Sequence, residues 1–572
     1  MENLIKKTTS VCPECLETIP ARVVHDTDQN IIFMRKSCKK HGDYEDIISK
    51  NPDWYFYENE FVPEDSRMDT TPTYAKENAV KKGCPYDCGL CENHKSAANL
   101  MIIDITNRCN LNCPICFANA NRQGKIVEYS YEEVVRIMEH FIEQQPYHAA
   151  IAQFSGGEPT LHPDIIKILQ KAKDIGFPHR MLNTNGIRMA KSVDFCRQIK
   201  EADCGALYLS FDGLEPETYK SIRGLDLSKV KQKVIENCRE VGLDGVMLVM
   251  TVCRGQNDHE VGNVLQFAKD NRDVVAGVVF QPVSLCGRVT IEELRQLRYT
   301  NSDLTKEIEK ATNGQISAKE WMPLALSNKL TQLLAWFNDL PRWSMSSHDD
   351  CGFCSLVQLT DDGWRPIDHY VDVKGAIGWA NQVWDMVSER KMPKPSGLLK
   401  NLEGIADNFG LKGVLEAVSD FSDTMSDTAY RQAMKAYFAA GMVKHIKDPM
   451  KAITDFTKDE FYMNVLRLFA SPSLATSKGM LMRGTQFIGS MHFMDAYNFD
   501  TDRVSRCLVH YGVLDPDDHD HVLEIPFCAY NTIHREPLEK KWAEMNAKPL
   551  EVSPEEHAAK MKKLVKEVDK EL

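Results

Sequence analysis

Cys109, Cys113 and Cys116 form a C-x3-C-x2-C run just after the apolar stretch Leu100–Ile105, and Phe117 follows the last of them. Three thiolates are one short of a closed tetrahedral zinc site, which usually draws its ligands as two C-x2-C pairs. A cubane iron–sulfur cluster, by contrast, can be held by three thiolates with one iron left open. An open iron is a place where chemistry can happen. A zinc site completed from elsewhere in the chain is the competing reading of the same residues.

Other cysteines fall in groups with metal-ligand spacing. Near the start, Cys12-x2-Cys15 and Cys38-x2-His41 flank a hairpin-like segment, Arg22–Lys36. Each pair can clasp one edge of a tetrahedron, so a ribbon holding zinc or a single iron is expected, and ligand identity does not separate the two metals. A second C-x3-C-x2-C run, Cys84, Cys88 and Cys91, lies ahead of the first strand among Pro and Gly residues. It reads as an auxiliary cluster, its fourth ligand being His94, another chain segment or a substrate atom. Cys351-x2-Cys354, joined by the distant Cys507 and Cys528, would supply four thiolates for a further cluster. Cys196, Cys204, Cys238 and Cys253 sit inside helix or strand patterns and read as small buried hydrophobes. Cys286 is left open between the two roles.

Strands must carry these residues. Six short β-rich runs alternate with helix-length amphipathic stretches: Leu100–Thr106, Ala149–Ser155, His179–Asn185, Ala206–Asp212, Gly245–Cys253 and Ala276–Val283. Between them lie helical patterns such as Tyr131–Gln144 and Pro163–Ile175. Such alternation calls for a parallel sheet with crossover helices, and six units suit an incomplete barrel, whose site lies at the strand carboxyl ends. The second strand runs into Ser155-Gly156-Gly157-Glu158-Pro159, where adjacent glycines let backbone approach a ligand and Glu158 can accept from an ammonium. The third ends at Asn183-Thr184-Asn185-Gly186 and the fourth at Ser210-Phe211-Asp212-Gly213.

In this order, from Leu100 to about Val283, the set resembles the core domain of the radical S-adenosylmethionine enzymes. The resemblance implies that Cys109, Cys113 and Cys116 hold a radical-generating 4Fe–4S cluster and that S-adenosyl-L-methionine chelates its open iron. It implies that Phe117 neighbours the adenine, and that Gly156, Gly157 and Glu158 meet the methionine amino group. Ser210 and Asp212 would meet ribose or carboxylate, with Asn183 and Asn185 lining the site. Cleavage to a 5′-deoxyadenosyl radical and abstraction of hydrogen from unactivated carbon follow, a step beyond ordinary acid–base side chains. A low-potential electron donor such as ferredoxin or flavodoxin, one or two auxiliary 4Fe–4S clusters and an anaerobic setting are implied with it.

The wider order of the ribbon, both triplets and the late cysteines resembles the tetraether lipid synthase group of these enzymes, over most of the chain. That resemblance implies joining the terminal carbons of two lipid chains, with two cofactor molecules cleaved per new bond. Related sequences also carry the label of pterin-precursor methyltransferase, so radical methylation of a pterin or another small ring is the alternative. A non-catalytic iron–sulfur electron-transfer protein is the alternative of another class.

Composition bounds the rest. Asp and Glu total 82 against 69 Lys and Arg, a formal charge of -13 over 572 residues, which argues against a general electrostatic grip on nucleic acid. No run offers the roughly 18 consecutive apolar residues of a membrane span, and Met1–Ser10 lacks the apolar core of a signal. A cytoplasmic protein is expected, with peripheral contact at the inner face of the membrane left open and a lipid or other small molecule as substrate.

The fold expected is α/β, a partial (β/α)6 TIM-like barrel with an N-terminal metal ribbon and a C-terminal, cluster-bearing, partly helical region. The divisions are a ribbon at 1–50, a linker with the auxiliary motif at 51–98, the barrel at 99–290 and a helical connection at 291–390. They continue with a helical segment and candidate substrate groove at 391–480, a cysteine-bearing region at 481–545 and a charged terminal helix at 546–572.

Overall fold

The computed structural model describes residues 1–60, 67–120, 124–284, 286, 296–391, 426–447, 485–545 and 548–549, with Glu556, Ala559 and Lys563. Most of the expected groove segment and of the charged terminal helix lies outside the described residues. Within the former, Asp427–Met442 is helical.

Four antiparallel strands open the chain: β1 (Glu2–Val11), β2 (Thr18–Asp26), β3 (Ile31–Cys38) and β4 (Gly42–Ser49). Strand alternation gives them one apolar face, on which Ala21, Val23, Ile32 and Met34 pack against Tyr55 of helix α1 (Pro52–Asn59). The β1–β2 and β3–β4 turns lie at the same end of this sheet, because Val11 pairs with Thr18 and Cys38 with Gly42. Both ligand pairs of the ribbon therefore meet.

All six strands of the expected barrel form: β5 (Leu100–Thr106), β6 (Ile151–Gly156), β7 (His179–Thr184), β8 (Ala206–Ser210), β9 (Val246–Val252) and β10 (Val275–Pro282). They are parallel neighbours in chain order. Parallel pairing requires crossovers, supplied by helices that include α2 (Tyr131–Ile142), α3 (Ile165–Ile175), α4 (Val193–Glu201), α5 (Pro216–Arg223), α6 (Ser228–Val241) and α7 (Val261–Asp270). Helix α2 shows how sequence fixes such an element. Ser130 and Glu133 close a reciprocal capping box at its start, and Val134, Ile137, Met138 and Phe141, at three- and four-residue spacing, are buried against the sheet.

The sheet continues past the six strands on both sides. Next to β10 lies β12 (Thr485–Met491), parallel to it and followed outward by antiparallel β11 (Gly352–Thr360). Next to β5 lies β13 (Val509–Asp515), also parallel, followed by antiparallel β14 (Asp518–Pro526). The late cysteine-bearing stretches are thus edges of the barrel sheet itself, and that sheet is open among the described residues.

Buried charges fasten the ribbon to this sheet. The Lys36 ammonium donates to Ser10 Oγ (3.0 Å), to the Val11 carbonyl (2.9 Å) and to the Ala496 carbonyl (2.6 Å). Arg298, 4 % exposed at its side chain, pairs with Asp46 of the ribbon at 2.7 Å and with Asp495 at 2.8 Å. Removing one member of a buried network leaves the others uncompensated. Arg298→Met, which leaves Asp46 and Asp495 facing each other, is expected to cost about 3–5 kcal/mol in chemical unfolding; a loss below about 1 kcal/mol would contradict this account of the interface.

Candidate active site

The loop after β5 carries Cys109, Cys113 and Cys116, and all three line one large cavity at the carboxyl ends of the strands. The amide of Leu111 donates to the Cys109 sulfur (3.3 Å) and that of Ala120 to the Cys116 sulfur (3.4 Å), so the loop is shaped around its sulfurs. Burial pushes the Cys109 and Cys113 thiols up. Free thiolates are thus disfavoured there, and a bound metal would reverse that balance.

What aims this loop is the turn after β6. The Gly157 amide donates to the Thr106 carbonyl (2.8 Å) and the Glu158 amide to the Arg108 carbonyl (2.7 Å). A Cβ on Gly156 would stand 2.1 Å from the Thr106 carbonyl oxygen, and one on Gly157 would stand 2.3 Å from that of Arg108. Gly156 also has φ +132°, in the region that favours glycine.

Glu158 is the knot of the strand ends. Its Oε1 accepts from the Thr160 amide (3.2 Å), Thr160 Oγ1 (2.5 Å) and Thr184 Oγ1 (2.7 Å), while Oε2 accepts from the Asn185 amide (2.8 Å). Oε2 therefore keeps acceptor capacity for an ammonium. Asn185 donates to Asn110 Oδ1 (2.6 Å), tying β7 to the cysteine loop. Asn183 bridges Gln153 (2.9 Å) and Ser155 (3.2 Å) on the cavity floor.

Two cations stand at the end of β8. Lys231, fully buried on α6, donates to the Asn185 carbonyl (2.6 Å) and to Ser210 Oγ (3.1 Å), and burial lowers it to about 7. Because Ser210 Oγ accepts from Lys231, its own hydrogen is free to point at the cavity. Asp212, expected to meet ribose or carboxylate, is not among the residues that line the cavity. Its buried carboxylate is gripped by Arg223, Nε at 2.6 Å and Nη2 at 2.8 Å, and it is Arg223 that lines the cavity. A strand-end carboxylate beside a buried guanidinium turns toward it.

The cavity has a volume of about 470 Å³ and opens to solvent. Beyond the polar strand ends its wall is largely apolar, with Ile102, Val249, Val279, Phe353, Phe487 and Met491. Phe117 stacks on Phe527 with ring centres 5.4 Å apart, and Phe493 stacks on Phe527 at 4.2 Å. Such a room brings the three cysteines together with ample apolar surface. Sequence reasoning missed Arg223, Lys231 and Arg503 because a single basic residue in a helix has no local signature.

The same cavity is lined by Cys351, Cys507 and Cys528 with Arg503, whose guanidinium donates to the His492 carbonyl (2.7 Å) and lies within electrostatic reach of Cys351. Cys354, expected to be the fourth of this set, is not among the cavity residues. It follows Phe353 on β11, so strand alternation turns it to the other face, where Glu58 is its charged neighbour. The second triplet packs between ribbon and barrel edge: the Tyr86 hydroxyl donates to the Leu16 carbonyl, and the Gly89 amide to the Glu524 carbonyl (3.2 Å). Burial lifts the Cys84 thiol to about 12 and the Cys88 thiol well above its usual range, with Cys91 adding like charge to both. The His94 ring packs edge-on against His510 at 4.9 Å.

In the ribbon, Cys12, Cys15, Cys38 and His41 offer four ligand atoms within 4.8 Å of one another. Cys12 Sγ lies 3.4 Å from His41 Nδ1 and Cys15 Sγ 4.0 Å from Cys38 Sγ. A tetrahedral ion with metal–sulfur bonds of about 2.3 Å puts its ligands ~3.8 Å apart, so the set fits one ion. Among the described residues no other three cysteines gather so closely. Cys196, Cys204, Cys238 and Cys253 are buried. So is Cys286, whose sulfur lies 3.6 Å from Thr532 Oγ1. Cys507→Ser is expected to remove about four irons per reconstituted chain and Cys354→Ser none, read by iron and sulfide analysis; equal losses from both would contradict the division of these cysteines.

Comparison with known proteins agrees with this geometry. Residues 103–268 match the radical SAM superfamily, and residues 4–50 match the HMPTM N-terminal zinc ribbon domain. The chain is 39% identical over 541 residues to the 7,8-dihydro-6-hydroxymethylpterin dimethyltransferase of Methanocaldococcus jannaschii, covering 94% of this chain and 96% of that one. It is 29% identical over 295 residues to a probable GTP 3′,8-cyclase of Methanothermobacter thermautotrophicus, covering 50% and 90%. Among solved structures, Streptococcus suis SuiB bound to its precursor peptide SuiA aligns at a TM-score of 0.32 and 20% identity, over 39% of this chain and 47% of that one. Among the described residues no helix is long and apolar enough to cross a membrane. With a relative matched nearly end to end, the chain belongs to the radical S-adenosylmethionine superfamily, in the family that contains the dihydro-hydroxymethylpterin dimethyltransferase of Methanocaldococcus jannaschii.

Proposed function

We propose that this radical S-adenosylmethionine enzyme methylates a reduced pterin. The observation that carries the reading is the 39% identity that runs over 94% of the chain to a protein named for dimethylation of 7,8-dihydro-6-hydroxymethylpterin. When bound, the cluster and S-adenosyl-L-methionine supply a 5′-deoxyadenosyl radical that can take hydrogen from carbon.

The chain's own part is to bind, orient and keep water out. Cys109, Cys113 and Cys116 would hold the radical cluster, and Glu158 Oε2, with the Gly156–Gly157 backbone, would receive the methionine ammonium. Ser210, oriented by Lys231, and Arg223 would face its carboxylate. Phe117, held by Phe493 and Phe527, would border the adenine. Cys84, Cys88 and Cys91 would hold one auxiliary cluster and Cys351, Cys507 and Cys528 another, with electrons arriving from a low-potential donor such as ferredoxin or flavodoxin. The ribbon ligands would hold zinc or iron.

A second reading is supported by the cavity. Its apolar wall is the feature that would suit saturated chains, which is what the joining of lipid carbons would need, with the membrane surface as the source of substrate.

One experiment separates the readings. Protein reconstituted anaerobically with iron and sulfide is reduced with S-adenosyl-L-methionine carrying a labelled methyl group, with either 7,8-dihydro-6-hydroxymethylpterin or a perdeuterated saturated lipid added. Label in the pterin, dependent on 5′-deoxyadenosine formation, is the expected outcome. Deuterium passing from lipid to 5′-deoxyadenosine, with the pterin unlabelled, would replace the first reading by the second.

A further inference from the structure

Arg223 ends helix α5 and reaches back toward the strand-end cavity. Behind it Asp212, with no exposed surface, accepts from Nε at 2.6 Å and Nη2 at 2.8 Å, a fork that fixes the plane of the guanidinium. In front of it lies the cysteine loop: a Cβ on the next residue, Gly224, would stand 3.9 Å from the Asn112 carbonyl oxygen and 3.9 Å from Pro114 Cδ, which places the guanidinium within electrostatic reach of the Cys113 sulfur. The ion pair is therefore oriented, with its negative end in the protein and its positive end toward the cavity wall that carries Cys113. Lys231, buried on the neighbouring helix, ties Asn185 and Ser210 instead and leaves Asp212 to Arg223. In a desolvated wall such an oriented pair is screened less than it would be in water.

A cubane held by three thiolates is an anion, and more strongly so once reduced, so hydrogen bonds and positive charge at its sulfurs favour the reduced state. We propose that Arg223 is a positioning residue that, through the Cys113 sulfur, raises the reduction potential of the cluster held by Cys109, Cys113 and Cys116. Asp212 works against it by drawing the guanidinium charge back, so the pair sets the potential between two limits. The proposal rests on the assignment of these three cysteines as cluster ligands.

The test is a redox-poised electron paramagnetic resonance titration of the reconstituted cluster, without S-adenosyl-L-methionine, in chains that retain full iron and sulfide. Arg223→Gln is expected to move the midpoint to lower potential, Asp212→Asn to move it to higher potential, and Arg223→Lys to fall between wild type and Arg223→Gln. Should Arg223→Gln fail to hold iron, the upward shift in Asp212→Asn decides alone. Midpoints that stay put, or that move in the same direction in both variants, overturn the proposal. A wild-type chain that forms no cluster at Cys109, Cys113 and Cys116 defeats the ligand assignment instead.

Discussion

The narrowest constraint in this protein is the contact between the Gly156–Gly157 turn and the backbone of the cysteine loop. Two carbonyl oxygens, of Thr106 and Arg108, lie where side chains would begin, and the same carbonyls accept the Gly157 and Glu158 amides. A methyl group at either glycine would force the loop outward and turn its sulfurs. Glu158 transmits the constraint sideways, because its four accepted hydrogen bonds reach Thr160, Thr184 and Asn185, and Asn185 returns to Asn110 within the loop. The geometry of three sulfurs thus depends on two missing side chains and one carboxylate that accepts four hydrogen bonds.

Around that core, buried charge is distributed with a purpose that burial alone would oppose. Arg223, Lys231 and Arg503 are basic groups in places that desolvate them. Each lies beside thiols or acceptors, and the cysteines near them are pushed toward their neutral form without metal. Bound clusters would supply the negative charge that makes both sets favourable together. The same logic explains why the ribbon is held by Lys36 and Arg298 and not by apolar packing alone: polar locks fix its register on the sheet edge, at some cost in stability.

Much of this was legible in the chain. The six barrel strands announce themselves by β-branched runs at regular spacing, and β5 begins and ends where its pattern predicts. The ribbon ligands converge because C-x2-C and C-x2-H pairs at hairpin ends have little choice. Less was legible where the side chain's direction matters. Cys354 reads as a partner of Cys351, but on a strand successive residues face opposite sides, and only the pairing of β11 with β12 reveals which side is inward. Asp212 reads as a ligand-facing carboxylate until Arg223, eleven residues on, is seen to claim it. That β12 and β13 flank the barrel strands is a long-range pairing, for which local pattern holds no signal. The substrate is the least legible element, since the named relative points to a ring and the cavity wall to a chain.

The central claim is that one iron of the cluster at Cys109, Cys113 and Cys116 lacks a protein ligand and is chelated by the amino and carboxylate groups of S-adenosyl-L-methionine. Electron–nuclear double resonance on the reduced protein tests this most directly, using cofactor isotopically labelled at its methionine nitrogen and carboxylate oxygens. Hyperfine coupling from both labels to the cluster is the result the account predicts. Absence of both couplings in protein carrying an intact, reduced cluster with the cofactor bound would contradict it.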